Sequence, residues 1–231
     1  MTRRQRDTEA TRRALLNAAT ELFAQYGFEG TTVERIARKA GANKAMISYH
    51  FGGKRKLYMA ILQESFAAAG KKMGPVRDSS LPAEERLREF IRAFGELVAE
   101  RPHFPTMMAR EAISGGRNMD ARIFPHLAGV YGGVREAIEQ GIREGSFQPV
   151  DPILFHLGLI GSLVFFFSTD AFRRRLLSGR GFGEVTIDPD RYIRHLQDWV
   201  VRGLARRPVS GPVVVCEPPA TPRSKDADTN E

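Results

Sequence analysis

The sequence predicts an all-α chain of 231 residues, with a small three-helix domain at the N-terminus and a larger helical domain behind it. Three observations predict this class. Apolar residues recur at the 3.6-residue period from end to end. Runs in which Val, Ile or Thr alternate with polar residues, the mark of half-buried strands, are absent. Glycines, prolines and two Asp-Pro pairs fall where the periodic runs stop and restart.

Taken in order, a first helix is expected from about Thr8 to Tyr26, because Leu15, Ala18, Ala19, Leu22, Phe23 and Tyr26 make one stripe and Gly27 supplies the stop. Thr31 followed by Glu34 reads as a capping box that opens a second helix through about Lys39. Gly41-Ala42-Asn43 makes a tight turn, a third helix runs from about Lys44 to His50, and Gly52-Gly53 breaks it. The fourth begins near Lys54 with Leu57, Tyr58, Ile61, Leu62 and Phe66 inward and runs to about Lys72. Met73 to Pro82 reads as loop. Helical spacing then recurs over Leu87–Val98, ended by Pro102, and over Phe104–Ser114, broken by Gly115-Gly116. A long stripe from Ile123 to Ile142 ends at Gly145. Asp151-Pro152 opens a helix by side-chain capping and a first-turn proline. Because that helix is apolar nearly all round, from Ile153 to Phe167, burial on more than one side is expected. An Arg- and Gly-rich stretch follows, and Asp188-Pro189 opens the last helix, with Tyr192, Leu196, Trp199, Val200 and Leu204 on one face. The division expected is 1–55, 56–207 and a disordered tail over 208–231, which holds five prolines among mostly polar residues.

Charge separates the two ends. Residues 1–58 hold 12 Lys and Arg against 5 Asp and Glu, so nearly all of the formal +8 lies in the first quarter. A cationic lobe on a near-neutral body suits a module that binds a polyanion, although a well-solvated surface accounts for the charge alone equally well. The single cysteine, Cys216, excludes a disulfide framework within the chain and fits a reducing compartment. Met1–Arg13 has no apolar run of the secretory kind, and Ile153–Phe167 falls short of the roughly 20 residues that span a bilayer. The expectation is a cytoplasmic protein with no membrane partner.

Residues 31–58 carry the functional signal. Two short helices joined by a small-residue turn form a helix-turn-helix, whose second helix enters the major groove of DNA. Val33, Ile36, Ala37, Ala40, Ile47 and Phe51 face inward, and Ala40 and Ala45 let the helices approach closely. Asn43, Lys44, Ser48, Tyr49 and His50 are expected outward, able to bond phosphates or base edges. Thr31 and Thr32 sit at a helix N-terminus, where free backbone N–H groups suit a phosphate, and Lys54, Arg55 and Lys56 add charge.

The run Thr31-Thr32-Val33-Glu34-Arg35-Ile36-Ala37-Arg38-Lys39-Ala40-Gly41, then Ile47-Ser48-Tyr49-His50-Phe51, then Lys54 and Leu57-Tyr58, resembles the N-terminal domain of the TetR family of bacterial repressors. The resemblance covers about residues 10–62. It implies a DNA-binding head, a connecting fourth helix, and a C-terminal domain that dimerises through its last two long helices and holds a small-molecule effector. It places DNA contacts on Thr31, Thr32, Lys44, Tyr49, His50 and Lys54, the turn glycine at Gly41 and a hydrophobic plug at Phe51. The chain departs from the family pattern at Met46, where a small hydroxyl residue is usual, and at Ser48, where an aromatic is usual, so its operator is its own.

In the body, Ile153–Phe167 and Tyr192–Leu204 are the candidate seam of a homodimer, because two helices from each subunit make a four-helix bundle. Phe165-Phe166-Phe167 reads as core or interface ahead of ligand contact. Candidate pocket residues are Phe94, His103, Phe104, Met107, Met108, Arg110, Glu111, His126, Tyr131 and His156, chosen because Met and Phe suit an adaptable apolar pocket and Arg110 and Glu111 offer polar anchors. A lone histidine in an apolar helix is more often hydrogen-bonded core. Arg173-Arg174-Arg175 reads as a solvated helix end ahead of a contact to DNA or an anionic effector. The five histidines are too scattered for paired metal ligands, and no nucleophile elbow, phosphate-cradling glycine loop or zinc-protease helix is present, so neither catalysis nor a metal or other cofactor is expected. The reading is a DNA-binding transcriptional regulator, a repressor released from a palindromic operator by an effector. An enzyme would need a catalytic constellation. An architectural DNA binder would show salt-dependent affinity with little sequence preference.

Overall fold

The computed structural model describes residues 3–178 and 187–206. Among them are ten helices: α1 Arg3–Tyr26, α2 Val33–Lys39, α3 Ala45–Phe51, α4 Lys54–Arg77, α5 Ala83–Glu100, α6 Phe104–Ile113, α7 Phe124–Glu144, α8 Pro152–Ser168, α9 Asp170–Leu177 and α10 Pro189–Leu204. No described residue belongs to a β-strand; one isolated antiparallel bridge joins Phe147 and Ala205. The expected tail over 208–231 lies outside the described residues.

The helices form where stripe and caps agree. Leu15, Ala19 and Phe23 of α1 close over Ile36 of α2 and Ile47 of α3, all essentially buried, and Leu57 and Tyr58 of α4 seal the same core from below. Helix α4 then continues into the body and packs against α5 and α7, while α5 takes α10 and α8 takes α6 and α7. The apolar core therefore runs unbroken from Leu15 to Leu204. At Asp151 and Asp188 the carboxylate accepts first-turn backbone N–H groups (Ile153 and Leu154; Arg191), and the following proline sits where no N–H is needed.

The structure differs from expectation in four elements. Helix α1 starts at Arg3, a turn and more before Thr8. Helix α4 runs through Met73, Gly74 and Pro75 to Arg77, where a loop was expected, because Met73 is buried and Val76 packs on the core. Pro75 removes one backbone donor in the last turn, too close to the end to break what packing holds. The Arg-rich stretch contains α9, which buries no residue; Asp170 in its first turn pairs with Arg173 and Arg174 at i+3 and i+4. Helix α8 buries Leu159, Leu163 and Phe166 on one side only, leaving Leu154, Leu157 and Phe165 about two-thirds exposed along the other.

One close approach fixes the end of α7. The backbone N–H groups of Ser146 and Phe147 both donate to the Gly141 carbonyl, at 3.0 Å each, and the Phe147 ring sits close against Gly141. A β-carbon at position 141 would stand 2.1 Å from Cδ2 of that ring. Gly141→Ala is accordingly expected to destabilise the fold by about 1–3 kcal/mol through overpacking. That outweighs the roughly 1 kcal/mol alanine gains over glycine in a helix. A lowered urea midpoint checks it; an unchanged or raised midpoint contradicts it.

Candidate nucleic-acid interface and ligand cavity

Two adjacent threonines open α2, and the structure gives them different work. Thr32 is the N-cap, its hydroxyl accepting the Arg35 N–H at 3.3 Å. Thr31 is fully buried and shares its one hydroxyl hydrogen between the carbonyls of Gly27 (2.8 Å) and Leu22 (3.1 Å), tying α2 to the end of α1. The capping box expected from Thr31 and Glu34 therefore does not form: the cap is Thr32, whose third helical residue is Arg35, and the buried Thr31 hydroxyl is turned to the end of α1. Gly41, at φ +64°, makes the turn with a left-handed backbone that a β-carbon disfavours. Asn43 accepts the Ala45 N–H at 2.9 Å and so starts α3.

Helix α3 buries Ile47 and leaves Ser48 and Tyr49 exposed, with Lys44 just before it. Tyr49 is 74% exposed, high for an aromatic residue. Lys44 lies 3.8 Å from Glu34 with both side chains well exposed, a contact too weak and screened to hold the amine from a phosphate. His50 is half-buried between the Tyr49 and Phe51 rings, and its Nε2 is sealed from solvent with no partner among the described residues. Lys54 is engaged inside the protein: Nζ donates to the carbonyls of Phe28 (2.9 Å) and Thr31 (3.0 Å) and sits 4.2 Å over the Phe28 ring. Of the residues singled out for DNA, Thr32, Asn43, Lys44, Ser48 and Tyr49 are exposed, while Thr31, His50 and Lys54 are wholly or partly withdrawn.

Arg110 and Glu111, expected as ligand anchors, instead join body to head. Arg110 donates to the carbonyls of Ala24 (2.9 Å) and Gln25 (2.8 Å), satisfying acceptors that the end of α1 leaves without helical partners. The buried Glu111 accepts from the Tyr58 hydroxyl at 2.7 Å and from the Asn118 side-chain amide at 2.9 Å. Burial first, and then the neighbouring carboxylate, push the Tyr58 phenol well above its ordinary value near 10, so it remains the donor. A raised folded-state value contributes stability that is complete below the unfolded pKa and lost as pH climbs towards the folded one. Stability is therefore expected to fall progressively above about pH 10. Tyr58→Phe should remove that part of the alkaline decline, which denaturant melts across the range would measure.

A cavity of about 210 Å³ opens between α4, α5 and α7, walled by Phe66, Ala69, Met73, Phe90 and Val130, with Arg77, Arg86 and His126 as its charged or polar lining. Only His126 among the expected pocket residues lines it, its ring parallel to Phe66 at 5.7 Å. His103, Phe104 and Met107 border a second cleft, about 240 Å³, shared with Leu16, Asn17 and Thr20 of α1. Tyr131 and His156 meet edge to face at 5.3 Å and line neither cavity. Burial holds the His156 imidazole below its usual value, favouring the neutral ring. Phe94 and Met108 pack in or against the core. Arg173 lies over the Phe166 ring at 3.7 Å, folded back onto α8 rather than solvated. No three His, Cys, Asp or Glu side chains among the described residues are grouped as a metal ion would need, and no single described helix is long and apolar enough to cross a membrane.

A short helix displayed on a three-helix head, joined by a long helix to a cavity-bearing body, defines a helix-turn-helix regulator of transcription that binds DNA. Residues 15–61 match the family profile "Bacterial regulatory proteins, tetR family", and residues 80–167 match "Tetracyclin repressor-like, C-terminal domain". The chain belongs to the TetR family, a family of transcriptional regulators. It is 28% identical over 207 residues to the HTH-type transcriptional repressor NicS of Pseudomonas putida, spanning 88% of this chain and 96% of that one. It is 27% identical over 150 residues to the regulator RutR of Escherichia coli, spanning 65% and 70%. Among solved structures, the TetR family regulator PfmR of Thermus thermophilus superposes with a TM-score of 0.65 at 23% identity, covering 83% of this chain and 99% of that one. The ketosteroid regulator KstR2 of Mycobacterium tuberculosis does so at 0.65 and 22%, covering 85% and 95%.

Proposed function

We propose that the chain is a cytoplasmic homodimeric repressor, released from a palindromic operator when a small molecule fills the cavity between α4, α5 and α7. Residues 1–55 act as the reading head and the remainder as the effector-binding and dimerising body. The observation that carries this reading is the span of α4. Phe66, Met73 and Arg77, along its second half, wall the cavity. Lys54, Leu57 and Tyr58 at the other end hold the head. A ligand that displaces the first set moves the second, and a coupling of about 1–3 kcal/mol changes operator affinity some 5- to 150-fold. NicS is named a repressor, which supports repression over activation.

Tyr49→Ala tests the reading head. The ring touches solvent over most of its surface, so its loss should leave the melting temperature nearly unchanged. Operator affinity should fall by about 1–3 kcal/mol, some 5- to 150-fold, in fluorescence anisotropy at fixed salt. Parent-like binding to duplex DNA would remove α3 as the reading element. Lys54→Ala serves as contrast: its amine holds the turn before α2, so melting temperature and DNA affinity should fall together.

A further inference from the structure

We propose that the cavity between α4, α5 and α7 binds a small organic monocarboxylate, with Arg86 as the anion anchor. This rests on the effector reading of that cavity and names the chemistry it accepts. The lining contains two guanidinium groups and one imidazole but no carboxylate. Arg77 is already answered by Asp78, with Nε 2.8 Å from the carboxylate. Arg86 is not: it forms no ion pair among the described residues, and one of its terminal nitrogens donates to the neutral Ser79 carbonyl. Its Nε–H is enclosed by protein atoms, away from cavity and solvent alike, and meets no acceptor among the described residues. An arginine that lines an apolar cavity without a counter-charge is incompletely compensated, and a carboxylate entering that cavity supplies charge-assisted bonds to the guanidinium.

The rest of the site sets the ligand's body. Its walls, Phe66, Met73, Phe90 and Val130, are apolar. Its room comes from missing side chains: Gly70 and Gly74 on α4 face Gly129 on α7, and a β-carbon at any of the three would meet nothing within 4 Å. A volume of about 210 Å³ lies below the roughly 300–1,000 Å³ of pockets for drug-sized ligands. The ligand is therefore one ring or a short chain carrying a single carboxylate.

Calorimetric titration of the full chain without DNA, at constant ionic strength, tests this with benzoate and hexanoate against benzamide and hexanamide. The acids should bind at least tenfold more tightly than the amides of the same shape. Arg86→Gln should abolish that preference, and Gly129→Leu, which adds a good helix former while filling the cavity, should abolish binding of both. Amides binding as tightly as acids, no detectable binding by either acid at millimolar concentration, or an acid preference that survives Arg86→Gln overturns the proposal. Operator affinity measured with each acid is a separate readout. An acid that binds through Arg86 without changing it upholds the anion site and removes the effector role.

Discussion

Leu157→Glu combined with Phe165→Glu is expected to leave a folded monomer that has lost the operator. Both side chains lie on the outer face of α8 and are 62% and 66% exposed in the single chain, so the substitutions cost the subunit itself little. Leu154, Leu157, Gly158, Gly161 and Phe165 fall on one side of that helix, and a β-carbon at either glycine would meet nothing within 4 Å. A second copy could therefore approach closely along that line. Each substitution enters a two-fold interface twice. Every large side chain forfeits about 1.5–3 kcal/mol of burial, and each unpaired carboxylate adds several more, so dimerisation should weaken by roughly a thousandfold or more. A lone head reads half a palindrome, and operator binding should sink towards the non-specific level, a drop of about 10³ or greater. Sedimentation gives the mass, circular dichroism the retained helix and anisotropy the affinity. A double variant that still sediments as a dimer and binds the operator like the parent would remove α8 from the interface.

The second large effect belongs to Glu111. Truncation to alanine takes away the acceptor of the Tyr58 hydroxyl and of Asn118, and it does so where Glu111 is only 2% exposed. A hydrogen bond to a charged partner contributes about 1.5–3 kcal/mol, and a stranded buried donor costs about 1–3 kcal/mol, so the expected loss is about 3–5 kcal/mol. Tyr58→Phe removes the donor together with its need for a partner and should cost about 1 kcal/mol. If the two side chains act as one unit, the double variant will lose less than the two single losses together. Additive losses in a urea-melt cycle would show instead that the contact is incidental to the joint between head and body.

Much of the fold was legible because stripe, cap and stop agree at most helices. The Asp-Pro pairs before Ile153 and Arg191 mark their helix starts to the residue. Where a local signal competed with packing, packing won: Pro75 reads as a break, yet buried Met73 keeps α4 intact to Arg77. Thr31-Thr32 was misassigned because either hydroxyl can cap, and only the neighbouring end of α1 decides which one turns inward. The cavity was the least legible part. Seeking it among Met, Phe and His selected residues that fill space, whereas this space is defined by side chains that are missing. The usable signal was the four-residue repeat of glycine in two helices, Gly70 with Gly74 and Gly129 with Gly133. Nor does spacing reveal that Arg110 and Glu111 serve the head, because their partners lie 86 and 53 residues away.

The grip of Arg110 on the last carbonyls of α1 bears on how such proteins can be recombined. A hybrid spliced after Gly53 would carry a foreign first helix onto this body, and its end would meet a guanidinium shaped for Ala24 and Gln25. The natural cut for exchanging operator preference therefore lies on the surface of α3 alone, at Ser48 and Tyr49, where new side chains can be grafted without disturbing the joint.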